Sequence, residues 1–374
     1  MKKYNIENLV CVIGGNHHNM LGIIRMMGEN NIKVNAIIIN GDKNSFCIKS
    51  RYLSSYSLVA YDEKKIINEI NKLPKDTIII PTGDDAAFII DKNYKKLKSK
   101  YILPSINDEE NQMEKYMNKY FQNQLLKKYN LKTAESFIYE FNKNLPENLE
   151  FPVIVKPLLS IDGKKSDIQI ASNINDLLAK LKEFEKKKYK RVIIQKYIYM
   201  DYECGLNGCI CNDSVVIPAI LKKIRRFPLK KGNVSYGKII KKNEMKVDLS
   251  PIIHMLKEIR YNGMFDIEIF ICGEDYYINE INFRNSGNSY AYMKGNVNLA
   301  LIWVMKNLNL KNDLPLEVKN SYYFRDEILE LKQLFNKNIS FVEFIYSWFK
   351  SRSNFIINFK DPMPFLKLLF NHIR

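Results

Sequence analysis

A chain of 374 residues is longer than one ordinary core organises, and with 46% apolar residues it is not a disordered one. Its 58 basic and 41 acidic residues leave a formal charge of +17, which raises the reading of a non-enzymatic anion-binding protein. The basic residues are scattered, however, and the runs at 92–100 and 182–191 read as solvated helical faces, so a nucleic-acid partner is not expected.

The opening MKKYNIENLV has neither a long apolar segment nor a small-residue cleavage site, and no run of about 18 apolar residues occurs anywhere. No signal peptide or membrane span is expected, and the protein is placed in the cytoplasm. Residues 8–14 (NLVCVIG) read as a buried strand, 19–28 as a helix, 34–40 (VNAIIIN) as a second strand, 66–73 as a helix and Thr77–Pro81 as a third strand. Apolar strands alternating with helices predict an α/β unit with a parallel sheet covered on both faces, over residues 1–105. The turn at 14–22 is glycine-rich without matching GxGxxG, so it reads as a strand-to-helix turn needing glycine rather than as a dinucleotide site. Asp84 and Asp85, at the end of the third strand, sit where such sheets bind ligands; they either meet an acceptor amine or cap a helix.

Residues 108–129 are predicted as one charged helix. Residues 150–156 (EFPVIVK) form a strand ending on Lys156, and a lysine at a buried strand end needs an anion. The loop at 157–165 holds Ser160, Gly163 and Lys164, which suit either a loop folded over phosphates or a solvated turn; the Walker pattern GxxxxGK[ST] is absent. A strand at 167–171, a helix at 174–188 and a strand at 191–197 follow. The last turns polar at Gln195-Lys196, where backbone groups can meet an adenine edge. Tyr202–Cys211 and residues 214–222 read as antiparallel strands. The six cysteines form no CxxC pair, and Cys209 and Cys211 lack companions at zinc spacing, so free thiols in a reducing compartment are expected. A helix is predicted at 249–260.

The most informative stretch is 263–287, GMFDIEIFICGEDYYINEINFRNSG. Phe265, Ile267, Ile269 and Ile271 share one parity, and Asp266 and Glu268 the other, so a strand puts them on opposite faces. A three-residue turn at Gly273-Glu274-Asp275 pairs Glu268 with Glu280 and Asp266 with Asn282. Like charges directly opposite are destabilising, and hard oxygen donors of this kind suit Mg²⁺, whose remaining ligands are often phosphates. Arg284 adds a fixed cation suited to phosphate or carboxylate. The competing reading is an exposed, solvated polar sheet face. From residue 298 onward the chain reads as helical.

As an ordered set, these segments resemble the ATP-grasp superfamily, which includes biotin carboxylase, carbamoyl-phosphate synthetase, D-alanine–D-alanine ligase and D-aspartate ligase. FPVIVKP resembles the superfamily strand whose lysine contacts ATP phosphates, implying Lys156. The preceding MNKYFQNQLLKKYNLKTAES implies Lys119 as a second phosphate-contacting lysine, although Asn118 stands where the family often has Asp. QKYI implies Gln195, Lys196, Tyr197 and Ile198 around adenine, and DYECGLNG implies Glu203 on the ribose. INEINFR implies Glu268, Glu280 and Asn282 on Mg²⁺, with Mn²⁺ as an alternative ion, and Arg284 beside the transferred phosphate. The phosphate loop lacks the long glycine run of biotin carboxylase.

The resemblance implies an α+β ATP-grasp unit over 106–300, two subdomains clasping ATP, followed by a helical region over 301–374. It implies ATP-dependent joining of a small-molecule carboxylate and an amine through an acyl-phosphate, with carboxylation or carboxylate phosphorylation as the alternative outcome. The basic segment 222–237 (KKIRRFPLKKGNVSYG) then reads as a mobile loop whose Arg225 and Arg226 hold an anionic substrate, or as a solvated loop. Asn285, Ser286 and Gly287 fall where D-alanine–D-alanine ligases place acceptor contacts. Residues 341–370, rich in Phe, Trp, Lys and Arg, read as a packed helical tail or a homodimer interface before they read as a peripheral membrane contact.

Overall fold

The computed structural model describes residues 4, 6–141, 143–159, 163, 167–229, 232–245, 247–311 and 313–373. Strands β1 (Val10–Gly15) and β2 (Val34–Ile39) are almost continuously apolar because both their faces are covered. With β3 (Leu53–Val59), β4 (Thr77–Pro81) and β5 (Tyr101–Ile102) they form a parallel five-stranded sheet in the order β3-β2-β1-β4-β5. Helices α1 (His18–Gly28), α2 (Glu63–Asn71), α3 (Asp84–Lys92) and α4 (Tyr94–Leu97) belong to the same unit. The chain adds strands outward from β1 on one side, then restarts at β4 on the other. The carboxyl ends of β1 and β4 therefore border a topological switch point, the usual ligand crevice of such sheets. Gly14 is required there by close approach, since a Cβ on it would lie 2.2 Å from Thr82 Oγ1. β3 was not legible because it is a half-exposed edge strand without an apolar run.

After β6 (Ser105–Ile106), the helix expected over 108–129 is two helices, α5 (Met113–Tyr116) and α6 (Lys119–Lys128). The break lies at Asn118, which takes an extended backbone and accepts hydrogen bonds from the Tyr120 and Phe121 N–H groups at 3.0 and 3.1 Å. An N-cap there explains why Asn stands in the position. Asn118→Ala is expected to cost about 1 kcal/mol, read as a fall in the urea midpoint.

A four-stranded antiparallel sheet follows, ordered β7-β10-β8-β9: β7 (Ser136–Glu140), β8 (Val153–Lys156), β9 (Gln169–Ala171) and β10 (Arg191–Lys196). Helix α7 (Ile174–Lys186) packs Leu177, Leu181 and Phe184 into a core with Val153, Val155, Val192 and Ile194.

The third sheet is nine-stranded. Its members are β11 (Tyr202–Cys211), β12 (Ser214–Val216), β13 (Ile220–Phe227), β14 (Asn233–Ile240), β15 (Tyr261–Cys272), β16 (Asp275–Asn282), β17 (Tyr322–Arg325) and β18 (Ser351–Asn354), together with β6. The run predicted as one strand over 214–222 divides around Pro218, whose missing N–H cannot join a ladder. The segment expected as a mobile loop at 222–237 is largely the β13–β14 hairpin. Helices α8 (Ser250–Glu258), α9 (Leu299–Asn307), α10 (Glu327–Phe335), α11 (Phe341–Lys350) and α12 (Met363–Ile373) complete the chain. The C-terminal region is helical as expected, but it also returns β17 and β18 to the sheet, strands too short and polar to be read from sequence.

The last described segment is locked onto the first unit. Arg25 of α1 is fully buried; its Nε donates to Asp361 Oδ2 at 3.0 Å, and its Nη groups donate to the carbonyls of Phe355, Ile356 and Asp361 at 2.9–3.1 Å. Buried Glu327 accepts from the N–H groups of Phe355, Ile356 and Ile357.

Candidate active site

The acidic hairpin has the expected pairing, reached by a different route. Asp266 lies opposite Asn282, Ile267 opposite Ile281 and Glu268 opposite Glu280. The turn, however, has two residues, Gly273 and Glu274, since Cys272 already pairs with Asp275; Gly273 takes φ +61°, a conformation glycine adopts freely. A β-bulge at Asn279 restores the register by placing an extra residue in β16. The bulge has a chemical consequence, because Asn279 Nδ2 donates to Glu268 Oε2 at 3.2 Å. On the far side Ile267, Ile269, Ile278 and Ile281 are buried in a core with α6 and α8 residues.

Three lysines face these carboxylates. Lys119 opens α6 and its Nζ lies 3.4 Å from Glu280 Oε1. Lys156, the buried last residue of β8, has its pKa drawn down to about 8 by burial and by the neighbouring charge of Lys119, with Glu280 and Glu268 opposing. Lys223 of β13 pairs with Glu203 and donates to Glu268 Oε1 at 2.9 Å. Burial works against the Lys223 charge, but Glu268 and Glu203 outweigh it and hold the ammonium protonated. Lys223 was not singled out from sequence. A strand reading of 222–227 would have found it, because β13 places it on the face of β11 that carries Glu203.

Glu203 is buried, and its carboxyl is pushed up by desolvation and by Glu268 despite Lys223 and Arg226. Arg226 Nη1 donates to Glu203, while Arg225 pairs with buried Glu330 and stacks over Tyr236 at 4.3 Å. The two arginines expected on a substrate thus hold internal carboxylates. In the expected adenine segment Gln195 is buried and the Lys196 side chain turns outward to Glu150. The N–H groups of Lys196 and Tyr197 bond to the carbonyls of Glu135 and Pro152 at 2.8 and 3.0 Å, and Ile198 follows directly. Ser160 and Lys164 of the phosphate loop lie outside the described residues; Gly163 sits against Pro157 and Tyr189.

The switch point of the parallel sheet closes the other side of the site. Arg284 Nε donates to Asp84 Oδ1 at 2.7 Å, its Nη2 to Asn282 Oδ1 at 3.3 Å and its Nη1 to the Asn285 carbonyl at 3.3 Å. Asp84 therefore meets Arg284, while Asp85 accepts from the Ala86 N–H within its own helix start. Asn19 Nδ2 bridges the Thr82 and Asn285 carbonyls at 2.8 and 3.0 Å, and the Asn285 amide donates back to Asn19. Ser286 Oγ donates to Asp266 Oδ2 at 3.1 Å, and Asn207 Nδ2 to Asp266 Oδ1 at 2.6 Å. Burial and Glu268 push the Asp266 carboxyl up to about 6. A Cβ on Gly287 would lie 2.7 Å from His18 Nε2, and His18 Nδ1 lies 3.1 Å from Asp326 of the C-terminal region. Asn19, His18, Asn207, Asn279 and Asp326 were all missed; the only sequence signal was the placement of His18 and Asn19 just past β1.

The donor set Glu268, Glu280 and Asn282 consists of hard oxygens flanked by lysines, which fits Mg²⁺ better than a softer ion. Among the described residues no three His, Cys, Asp or Glu side chains gather into a self-sufficient metal centre. A cation held here would complete its shell with phosphate oxygens and water, as Mg²⁺ does.

The sequence matches no protein-family profile. Solved structures match nearly the whole chain. N5-carboxyaminoimidazole synthetase from Staphylococcus aureus, solved with ADP, is 16% identical with a TM-score of 0.68, covering 90% of this chain and 87% of that one. An L-amino acid ligase from Bacillus licheniformis is 14% identical with a TM-score of 0.65, covering 89% and 86%. Phosphoribosylglycinamide synthetase from Anaerococcus prevotii is 16% identical with a TM-score of 0.58, covering 85% and 80%. At these identities the likeness speaks to the fold alone, over most of the chain's length, and the chain has the ATP-grasp fold.

Proposed function

We propose that the protein is an ATP-dependent carboxylate–amine ligase. The observation that carries this reading is the direct opposition of Glu268 and Glu280 on neighbouring strands, ringed by Lys119, Lys156 and Lys223. Two facing carboxylates repel unless cations lie between them, and the set is suited to a metal-bound triphosphate. In this reading Glu268, Glu280 and Asn282 would hold Mg²⁺, which would neutralise charge on the phosphates. Lys119 and Lys156 contact phosphate oxygens, residues 195–198 border adenine, and Glu203 lies by the ribose. An oxygen of the substrate carboxylate attacks the γ-phosphorus, giving an acyl-phosphate and ADP. The amine nitrogen then attacks the acyl carbon, the carbon–oxygen bond to phosphate breaks, and the amine loses a proton. Arg284, held by Asp84 and Asn282, stabilises the oxyanion and departing phosphate. Asn285, Ser286 and Gly287 line the acceptor side. The working units are 1–105, 106–300 and 301–374.

A screen of amino-acid pairs for ADP release tests the reading; release that requires both a carboxylate and an amine supports it. The chain is similar to synthetases named for a carboxyamino product, so carboxylation is the second reading, and bicarbonate-dependent ADP release would select it. Lys156 supplies a pH prediction. Bound phosphates favour its charged form, so nucleotide binding raises its pKa from about 8 and takes up a proton above that pH. ADP affinity is expected to stay level below pH 8 and to fall by up to about tenfold per pH unit above it. Titration calorimetry checks this, and Lys156→Arg should flatten the profile.

A further inference from the structure

Helix α11 buries Phe344 and Ser347 yet carries most of its large apolar side chains outward. Beside Phe344, the inner side makes polar contacts: buried Ser347 donates to Glu330 Oε2 of α10 at 3.0 Å, and the Arg325 guanidinium stacks over Trp348 at 3.4 Å. A capping box of Ser340 and Glu343 fixes its start. At about 100° per residue, Phe341, Val342, Ile345, Tyr346 and Phe349 fall on one arc, opposite Phe344 and Ser347. Phe341, Val342 and Phe349 are 66%, 76% and 82% exposed. A water-facing helix normally reverses this arrangement, and a continuous exposed apolar face marks an interaction surface.

The rim decides what covers it. Lys337 shortly precedes the helix, Lys350 ends it and Arg352 follows it; all three are exposed, as is Lys332 on the adjoining α10, and Lys350 Nζ lies 5.7 Å from the Tyr346 ring. The acid within α11, Glu343, is engaged in capping its own helix. A second copy would bring the same basic rim, and a chain of charge +17, against itself. An anionic bilayer complements both the stripe and the rim, with aromatic residues at headgroup depth and lysine stems along the surface. Among the described residues no helix is long and apolar enough to cross a membrane, so the contact is interfacial. We propose that α11 lays this protein on an anionic lipid surface.

Vesicle flotation of the full chain tests this. Vesicles of phosphatidylcholine and phosphatidylglycerol in equal parts should carry the protein at low salt and release it at high salt. Phosphatidylcholine alone should hold at least about tenfold less. Phe341→Ser with Phe349→Ser should lower binding by about tenfold or more, with an unchanged melting temperature. Lys350→Glu with Arg352→Glu, which leaves the stripe intact, should lower it by a similar factor. Equal binding to neutral vesicles, or none to either kind, overturns the proposal. So does a wild-type dimer in sedimentation analysis that the Phe double variant converts to monomer, which would make this face a contact between copies.

Discussion

Glu280→Gln is expected to release ADP at less than about one-hundredth of the wild-type rate while unfolding at no lower a temperature. Glutamine keeps the shape and one oxygen but removes the charge that faces Glu268 and Lys119. In the nucleotide-free protein that charge is partly a burden, because it opposes Glu268 directly. Stability and turnover should therefore separate, and the separation distinguishes a working carboxylate from a merely structural one. Full turnover in this variant with productive substrates would remove the metal assignment.

Arg25→Met is expected to destabilise the protein by about 3–5 kcal/mol, read from urea unfolding. The methionine fills similar space but leaves Asp361 charged and buried, and strips donors from the Phe355, Ile356 and Asp361 carbonyls. Asp361 also accepts from Ser50 Oγ and the Arg51 N–H, so its carboxylate cannot turn to water. Adding Asp361→Asn should recover part of the loss by removing the stranded charge while preserving an acceptor. If Arg25→Met cost less than about 1 kcal/mol, below what a lost buried partner commands, the clamp would not be what seats the C-terminal segment.

What could be read from sequence had a period. The alternation of 265–271 disclosed which carboxylates share a face, and apolar runs disclosed β1, β2 and β4. The bulge at Asn279 was invisible because an inserted residue leaves no periodic trace, although it delivers a hydrogen bond to Glu268. β13 was obscured by its charge: Lys223, Arg225 and Arg226 look like a solvated loop until Glu203, Glu268 and Glu330 are seen opposite them. The Asn19–Asn285 and His18–Asp326 contacts join residues far apart in the chain, and nothing local in the sequence encodes such pairings. The outward face of α11 shows the reverse limit: its periodicity was plain, but periodicity does not say which side meets water.

The partner of Arg25 lies 336 positions downstream. On a ribosome the opening layer, built around β1 and α1, would be synthesised long before Asp361 emerges, and its interior cation would have nothing to rest against. Early compaction of that layer would have to leave α1 loosely seated, or expose the guanidinium to water, until Asp361 had been made. The seating of α1 in that sense waits on a segment made 336 residues later, which acts as the keystone of a much earlier layer.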